Sequence, residues 1–149
     1  MMRVSQRMAS AFLILSYASL FSLASAKCPE SISSSSDCLP ISSYGDFKSI
    51  VESTGDGSMI CFEPFELTKS DDEDAVEISA TGVVVACRVA GECKIRSGGT
   101  QMRIAGDNAE VTLHGFHFSE AESNAIQVVK DAGIKGSHEQ NICDCTFEK

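Results

Sequence analysis

The strongest constraint on this chain is a phrase that recurs along it. In Gln101–Phe118 (QMRIAGDNAEVTLHGFHF), Met102 and Ile104 alternate with Gln101 and Arg103, Val111 and Leu113 with Thr112 and His114, and Phe116 and Phe118 with His117. Polar or glycine breaks at Gly106-Asp107-Asn108 and at Gly115 separate the three runs. Period-2 alternation of this length makes short strands, each with one apolar face. The phrase has counterparts on both sides: AVEIS, VVVAC and CKI within Ala75–Ile95, and NAIQVV, NICDC and TF within Asn124–Phe147. First-run anchors Val76, Met102 and Ile126 are spaced by 26 and 24 residues, and last-run anchors Ile95, Phe118 and Phe147 by 23 and 29. A constant strand pattern at variable spacing is what a solenoid produces when insertions go into its turns.

Stacking the runs predicts inward columns Val76/Met102/Ile126, Cys93/Phe116/Cys145 and Ile95/Phe118/Phe147. The outward columns are then Glu77/Arg103/Gln127 and Lys94/His117/Thr146, followed by Arg96/Ser119/Glu148. A slip of one residue would exchange the two sets. Upstream, Asp46 is placed to cap a helix over Asp46–Ser53 in which Phe47, Ile50 and Val51 share one face. Gly55-Asp56-Gly57 ends that helix, and Met59–Leu67 (MICFEPFEL) reads as strand interrupted at Pro64. Such a helix would cover the first layer of the stack, which otherwise exposes unpaired backbone and a bare core.

The remaining segments set the compartment. Arg3 and Arg7, the apolar run Ala11–Ala26 and its Ala24-Ser25-Ala26 ending read as a secretory signal peptide over 1–26. No second apolar stretch approaches the length of a spanning helix, so no membrane attachment is expected after cleavage. The serine-rich segment 27–43 reads as a solvated arm, and 44–149 as one domain. Loss of the leader's two arginines takes the formal charge from −9 to −11. That balance argues against a nucleic-acid partner, whose binding rests on cations. The seven cysteines all follow the leader, and in a secretory context they should be mostly oxidised. A Cys28–Cys38 bridge would close the arm; Cys61–Cys87 and Cys87–Cys93 are rival pairings that spacing does not separate.

The helix DFKSIVES, the turn GDG, the strand MICFEPFEL and the phrases GFHF and CDCTF resemble the N-terminal part of right-handed parallel β-helix proteins, the pectin-lyase-like superfamily. The pattern is most similar to secreted members of the kind found in algae such as diatoms. The resemblance implies an all-β, right-handed parallel β-helix, here of about three coils with a short N-terminal capping helix. It also implies polysaccharide chemistry, carried by carboxylate clusters or Asp-bound calcium on the outer faces of middle coils.

The residues offer little of that chemistry. Glycosidic hydrolysis needs two carboxyl groups converging across one bond, and no outward column stacks two acids. His114 and His117, expected to point outward beside Lys94, Arg96 and Arg103, form the candidate glycan-binding group on a locally less negative surface. The acidic turn Thr68–Asp74 offers Asp71, Asp72 and Asp74 as a weak calcium site lacking EF-hand spacing. His138 has no evident partner. The sequence stops at CDCTFEK inside a strand pattern, so the domain is expected to be incomplete at its C-terminus or to self-associate through a bare edge. The expected function is a non-catalytic extracellular or cell-wall module that binds a polysaccharide or matrix component. The alternative is a lyase- or epimerase-type polysaccharide-modifying enzyme whose catalytic coils are missing or degenerate.

Overall fold

The computed structural model describes residues 37–106, 110–129 and 140–149. The leader, Cys28, most of the serine-rich arm, Asp107, Asn108 and His138 lie outside the described residues. Among the described residues, one helix, α1 (Tyr44–Glu52), precedes eleven strands. These are β1 (Met59–Phe62), β2 (Phe65–Thr68), β3 (Val76–Ile78), β4 (Val83–Cys87), β5 (Cys93–Arg96) and β6 (Met102–Ile104). They continue as β7 (Val111–His114), β8 (Phe116–Ser119), β9 (Ile126–Val128), β10 (Gln140–Cys143) and β11 (Thr146–Phe147). Every third strand joins the same sheet, giving β1-β4-β7-β10, β2-β5-β8-β11 and β3-β6-β9, and every pairing is parallel. This mostly β arrangement is compatible with a parallel β-helix.

The register agrees with the alternation in the sequence. Val76 pairs with Met102 and Met102 with Ile126, while Ile95, Phe118 and Phe147 form one column. Glu77–Arg103–Gln127 and Lys94–His117–Thr146 are partners on the outer faces. Cys93 lies opposite Phe116, and Cys145, just before β11, is half-buried against the same core. Because Cys93 is small, the ring of Phe116 reaches within 6.3 Å of Phe65 and 6.1 Å of Phe47.

The helix is the plug at the β1, β2 and β3 end. Its cap is Ser43, not Asp46: Ser43 is extended, and its Oγ accepts from the Asp46 N–H at 3.1 Å. Asp46 instead sits in the first turn, where a carboxylate suits the helix N-terminus, and accepts from Ser42 Oγ at 3.1 Å. Starting at Tyr44 rather than Asp46 lets the buried Tyr44 side chain belong to the helix. Its Oη lies 2.9 Å from Gln101 O and 3.2 Å from the Val76 N–H, which it accepts. Phe47 is fully buried, with its ring 5.2 Å from Phe62 and 5.4 Å from Phe65.

Between pairs of described residues there are two disulfides, Cys38–Cys61 and Cys87–Cys93. Cys38 is therefore not bridged to Cys28; of the rival pairings of Cys87, the one with Cys93 forms and the one with Cys61 does not. The register gives the reason for the latter. Cys61 pairs with Ala86, and Cys87 with Phe62, so the two cysteines face opposite sides of the sheet. Cys143 is also disulfide-bonded, and Cys145 is the free thiol among the described residues. Burial pushes the Cys145 thiol up from its ordinary value.

Two expected outward residues are buried. His114 continues the column of Cys61, Ala86 and Cys143 on the side of the sheet away from the main core. Cys38, Cys61 and Ala86 form a second small buried cluster there, so this outer face is not a solvent face. Ser119 lies at a corner whose carbonyl accepts from Gln101 Nε2 at 2.8 Å and from the Ser97 N–H at 3.2 Å. At the opposite end from α1, the columns emerge into solvent. Val128 and Ile142 are each 41% exposed and Phe147 54%, whereas their neighbours Ile104, Leu113 and Phe118 are buried. Between them lies an apolar hollow of about 580 Å³.

This asymmetry predicts unequal costs of truncation. Phe47→Ala should lose about 3–5 kcal/mol in chemical denaturation, as for other fully buried aromatics, and Phe147→Ala about 1 kcal/mol or less. Equal losses would mean that α1 does not plug the core. Burial also raises the Tyr44 phenol above its ordinary value, so the fold favours its neutral form. The stability this contributes is complete below a pH of about 10 and should fall as the pH rises further, because the unfolded chain ionises first. Tyr44→Phe should flatten that alkaline loss while costing about 1–3 kcal/mol at neutral pH. Melting curves of both proteins from neutral to alkaline pH would check it.

Candidate functional site

The five residues singled out for glycan binding divide among three sheets. Lys94 and Arg96 on β5 and His117 on β8 share the outer face of β2-β5-β8-β11. Arg103 on β6 belongs to β3-β6-β9, and His114 on β7 to β1-β4-β7-β10. Gly115, at φ 75°, turns the chain between the two histidines. A Cβ there would stand 3.1 Å from Ala90 Cα and 3.3 Å from Cys87 Cβ, so glycine is required for this corner.

Each of the five has an acidic neighbour. Arg96 and Lys94 converge on Glu66, at 3.1 and 4.0 Å. His117 lies 3.6 Å from Glu148 and places Nδ1 2.7 Å from Thr146 Oγ1. His114 Nε2 is 3.2 Å from Asp144 Oδ2, and its buried Nδ1 has no partner. Half-exposed pairs of this kind contribute little stability, but they consume the positive charge expected of the patch. The acidic turn is likewise not gathered. Glu73 folds back onto the Ser70 N–H and Oγ at 2.8 and 2.9 Å, and these bonds hold its carboxyl below the usual range. Among the described residues no three His, Cys, Asp or Glu side chains converge as a metal site, so Asp71, Asp72 and Asp74 are not brought together as ligands.

Of the five, Arg103 lines a polar hollow of about 460 Å³ where α1 meets β3 and β6, and Lys94 a smaller one of about 260 Å³ beside Glu66 and Glu92. Lys48, Glu52, Asp74, Ala75, Glu77 and Ser79 complete the lining of the larger hollow. The physical origin of this site is the edge of a sheet. Among the described residues, strand β3 pairs only with β6, so the Glu77 N–H has no strand partner there on its other side. Glu52 takes that place: its Oε1 accepts from the Glu77 N–H at 3.0 Å and from the Lys48 ammonium one helical turn away. Lys48 also donates to Ala75 O at 3.0 Å. Burial pushes the Glu52 carboxyl up, but the bonds from Lys48 and Glu77 outweigh it and hold the group below its ordinary value.

Arg103 is less well served. Its Nη1 stands 3.6 Å from Glu77 Oε2, too long for a good hydrogen bond, and its buried Nε has no acceptor. Sequence reasoning found Arg103 and Glu77 from the strand register and named Asp74 for another role. It missed Lys48 and Glu52, although their spacing of four on the polar face of α1 marks them as neighbours. Nothing local indicates that this face abuts β3.

No protein-family model matches the chain, and no curated protein or solved structure matches it. Among the described residues no helix is long and apolar enough to cross a membrane.

The depressed Glu52 carboxyl gives a pH dependence of definite sign. Its contribution is complete above the ordinary Glu value of about 4.3 and is lost as the pH falls through the lower folded value. Glu52→Gln should therefore lower the melting temperature at neutral pH but narrow the gap to wild type below a pH of about 4. A gap of constant size from neutral to acid pH would show that the Glu52 charge plays no part.

Proposed function

We propose that this chain is a secreted extracellular or cell-wall module, built as a right-handed parallel β-helix of about three coils, that binds a glycan or another surface component without catalysis. The observation that carries this reading is the mixed-charge hollow around Arg103, a concave site on an outer sheet face that presents both hydrogen-bond donors and acceptors. Supporting the architecture, every third strand returns to the same sheet in register, and crossovers between parallel strands of one sheet are right-handed in about 98% of cases. Supporting the location, Arg3, Arg7 and the A-x-A ending suit secretion, and the oxidised Cys38–Cys61 and Cys87–Cys93 pairs suit an oxidising compartment.

The competing reading is a lyase- or epimerase-type enzyme whose catalytic coils are missing or degenerate; of the carboxylates present, Glu52, Asp74 and Glu77 line this hollow. Proton transfer needs an acid or base tuned toward neutral pH. Glu52 is tuned the other way and is already engaged with Lys48 and Glu77. Binding fits these residues better than catalysis.

A carbohydrate array probed with the purified secreted protein tests the proposal. Binding to at least one glycan class, weakened tenfold or more by Arg103→Ala, is expected. Failure to bind every carbohydrate offered, alongside unsaturated product released from alginate or pectin, would replace this reading with the enzymatic one.

A further inference from the structure

We infer that the hollow recognises adjacent hydroxyls of a neutral sugar rather than the carboxylate or sulfate of an acidic one; this rests on the glycan-binding reading above. Hydrogen-bonding capacity left unused by the protein points to it. Lys48 and Glu52 are committed to each other, to Ala75 O and to the Glu77 N–H. Arg103, by contrast, is half-exposed and presents its terminal guanidinium donors beside a single long contact to Glu77. Glu77 has only that contact for its carboxylate among the described residues. Asp74, an exposed part of the lining, accepts from Tyr44 through its carbonyl, and no bond to its carboxylate is found among the described residues.

The unfilled groups are therefore a fork of donors beside carboxylate acceptors. A vicinal diol complements both at once, since each hydroxyl gives one proton and accepts through its lone pairs. One hydroxyl can donate to Glu77 while its oxygen, or its neighbour's, accepts from Arg103. Each such bond is charge-assisted, hence about twice the strength of a neutral one.

Charge excludes the acidic alternative. Lys48 and Arg103 stand against Glu52, Asp74 and Glu77, so the lining carries a net negative charge, on a chain of formal charge −9. An added carboxylate or sulfate would meet Arg103 only beside Glu77, and would be repelled by the field of the whole molecule. A neutral sugar meets no such barrier, and its affinity should respond little to salt.

The test sets neutral polysaccharides (a glucan and a mannan) against a polyuronate and a sulfated galactan, at low and high salt, by isothermal titration. Wild type is compared with Glu77→Gln and Arg103→Gln, and melting curves verify folding. The expected result is binding to a neutral polymer, weakened at least fivefold in each folded variant and changed less than twofold by salt. Binding confined to the acidic polymers would overturn this inference and leave the broader glycan-binding reading standing. Neutral binding that both variants retain would also overturn it, by placing the site elsewhere. Absence of binding to all four would count against both. Should a variant fail to fold, Asp74→Asn at the solvent-facing rim supplies the same comparison.

Discussion

Continuous in-register stacking of short parallel strands is the constraint on which the rest of this structure depends. Each inward side chain needs a partner in the strand above and in the strand below, so the ends of the stack are where the arrangement is vulnerable. At the α1 end, three residues of a nine-residue helix meet three separate needs. Phe47 fills the space above Phe62 and Phe65, reaching Phe116 past the small Cys93. Tyr44 joins the backbone of β3 and of the turn before β6 through its hydroxyl. Glu52 accepts the Glu77 N–H, as a neighbouring strand's carbonyl would have done. The other end has no equivalent among the described residues, and Val128, Ile142 and Phe147 are exposed there.

Much of this was legible because alternation and stacking are local and repetitive properties. The anchors Val76, Met102 and Ile126, and Ile95, Phe118 and Phe147, pair as the spacing implies. Pro64 separates β1 from β2, as expected of a residue with no N–H to donate. What was not legible has a different cause. His114 lies on the outward side that alternation implies, but alternation says nothing of whether that side is covered. Its column includes Cys61 and Ala86, and the segment around Cys38 packs over those two. Of the two rival partners for Cys87, Cys93 is the one bonded; Cys61 is excluded by one residue of register, since a shift of one reverses the face.

The candidate site was half legible for the same reason. Register placed Glu77 beside Arg103, since both lie in one ladder. Lys48 and Glu52 come from a helix whose docking against β3 is a long-range contact fixed by core filling at Phe47 and Tyr44. The polar face of α1 becomes a wall of the hollow as a consequence of plugging the stack.

This origin also explains why the proposed ligand site lies in the hollow and not on the broad sheet faces. On a sheet face the strand separation of about 4.8 Å holds register partners side by side, and opposite charges placed there find each other. Glu66 with Lys94 and Arg96, and His117 with Thr146 and Glu148, are the result. Such a face is flat and its polar groups are largely spoken for. Where helix meets sheet, the separation is set by apolar packing beneath, without regard to the polar groups above. Lys48 and Glu52 close on each other within the helix, so the half-exposed Glu77 and Arg103, ladder partners on β3 and β6, keep their polar groups turned toward the hollow with one 3.6 Å contact between them. A mismatch between two packing rules thus leaves concavity and unused hydrogen-bonding capacity in the same place, and an external ligand needs both.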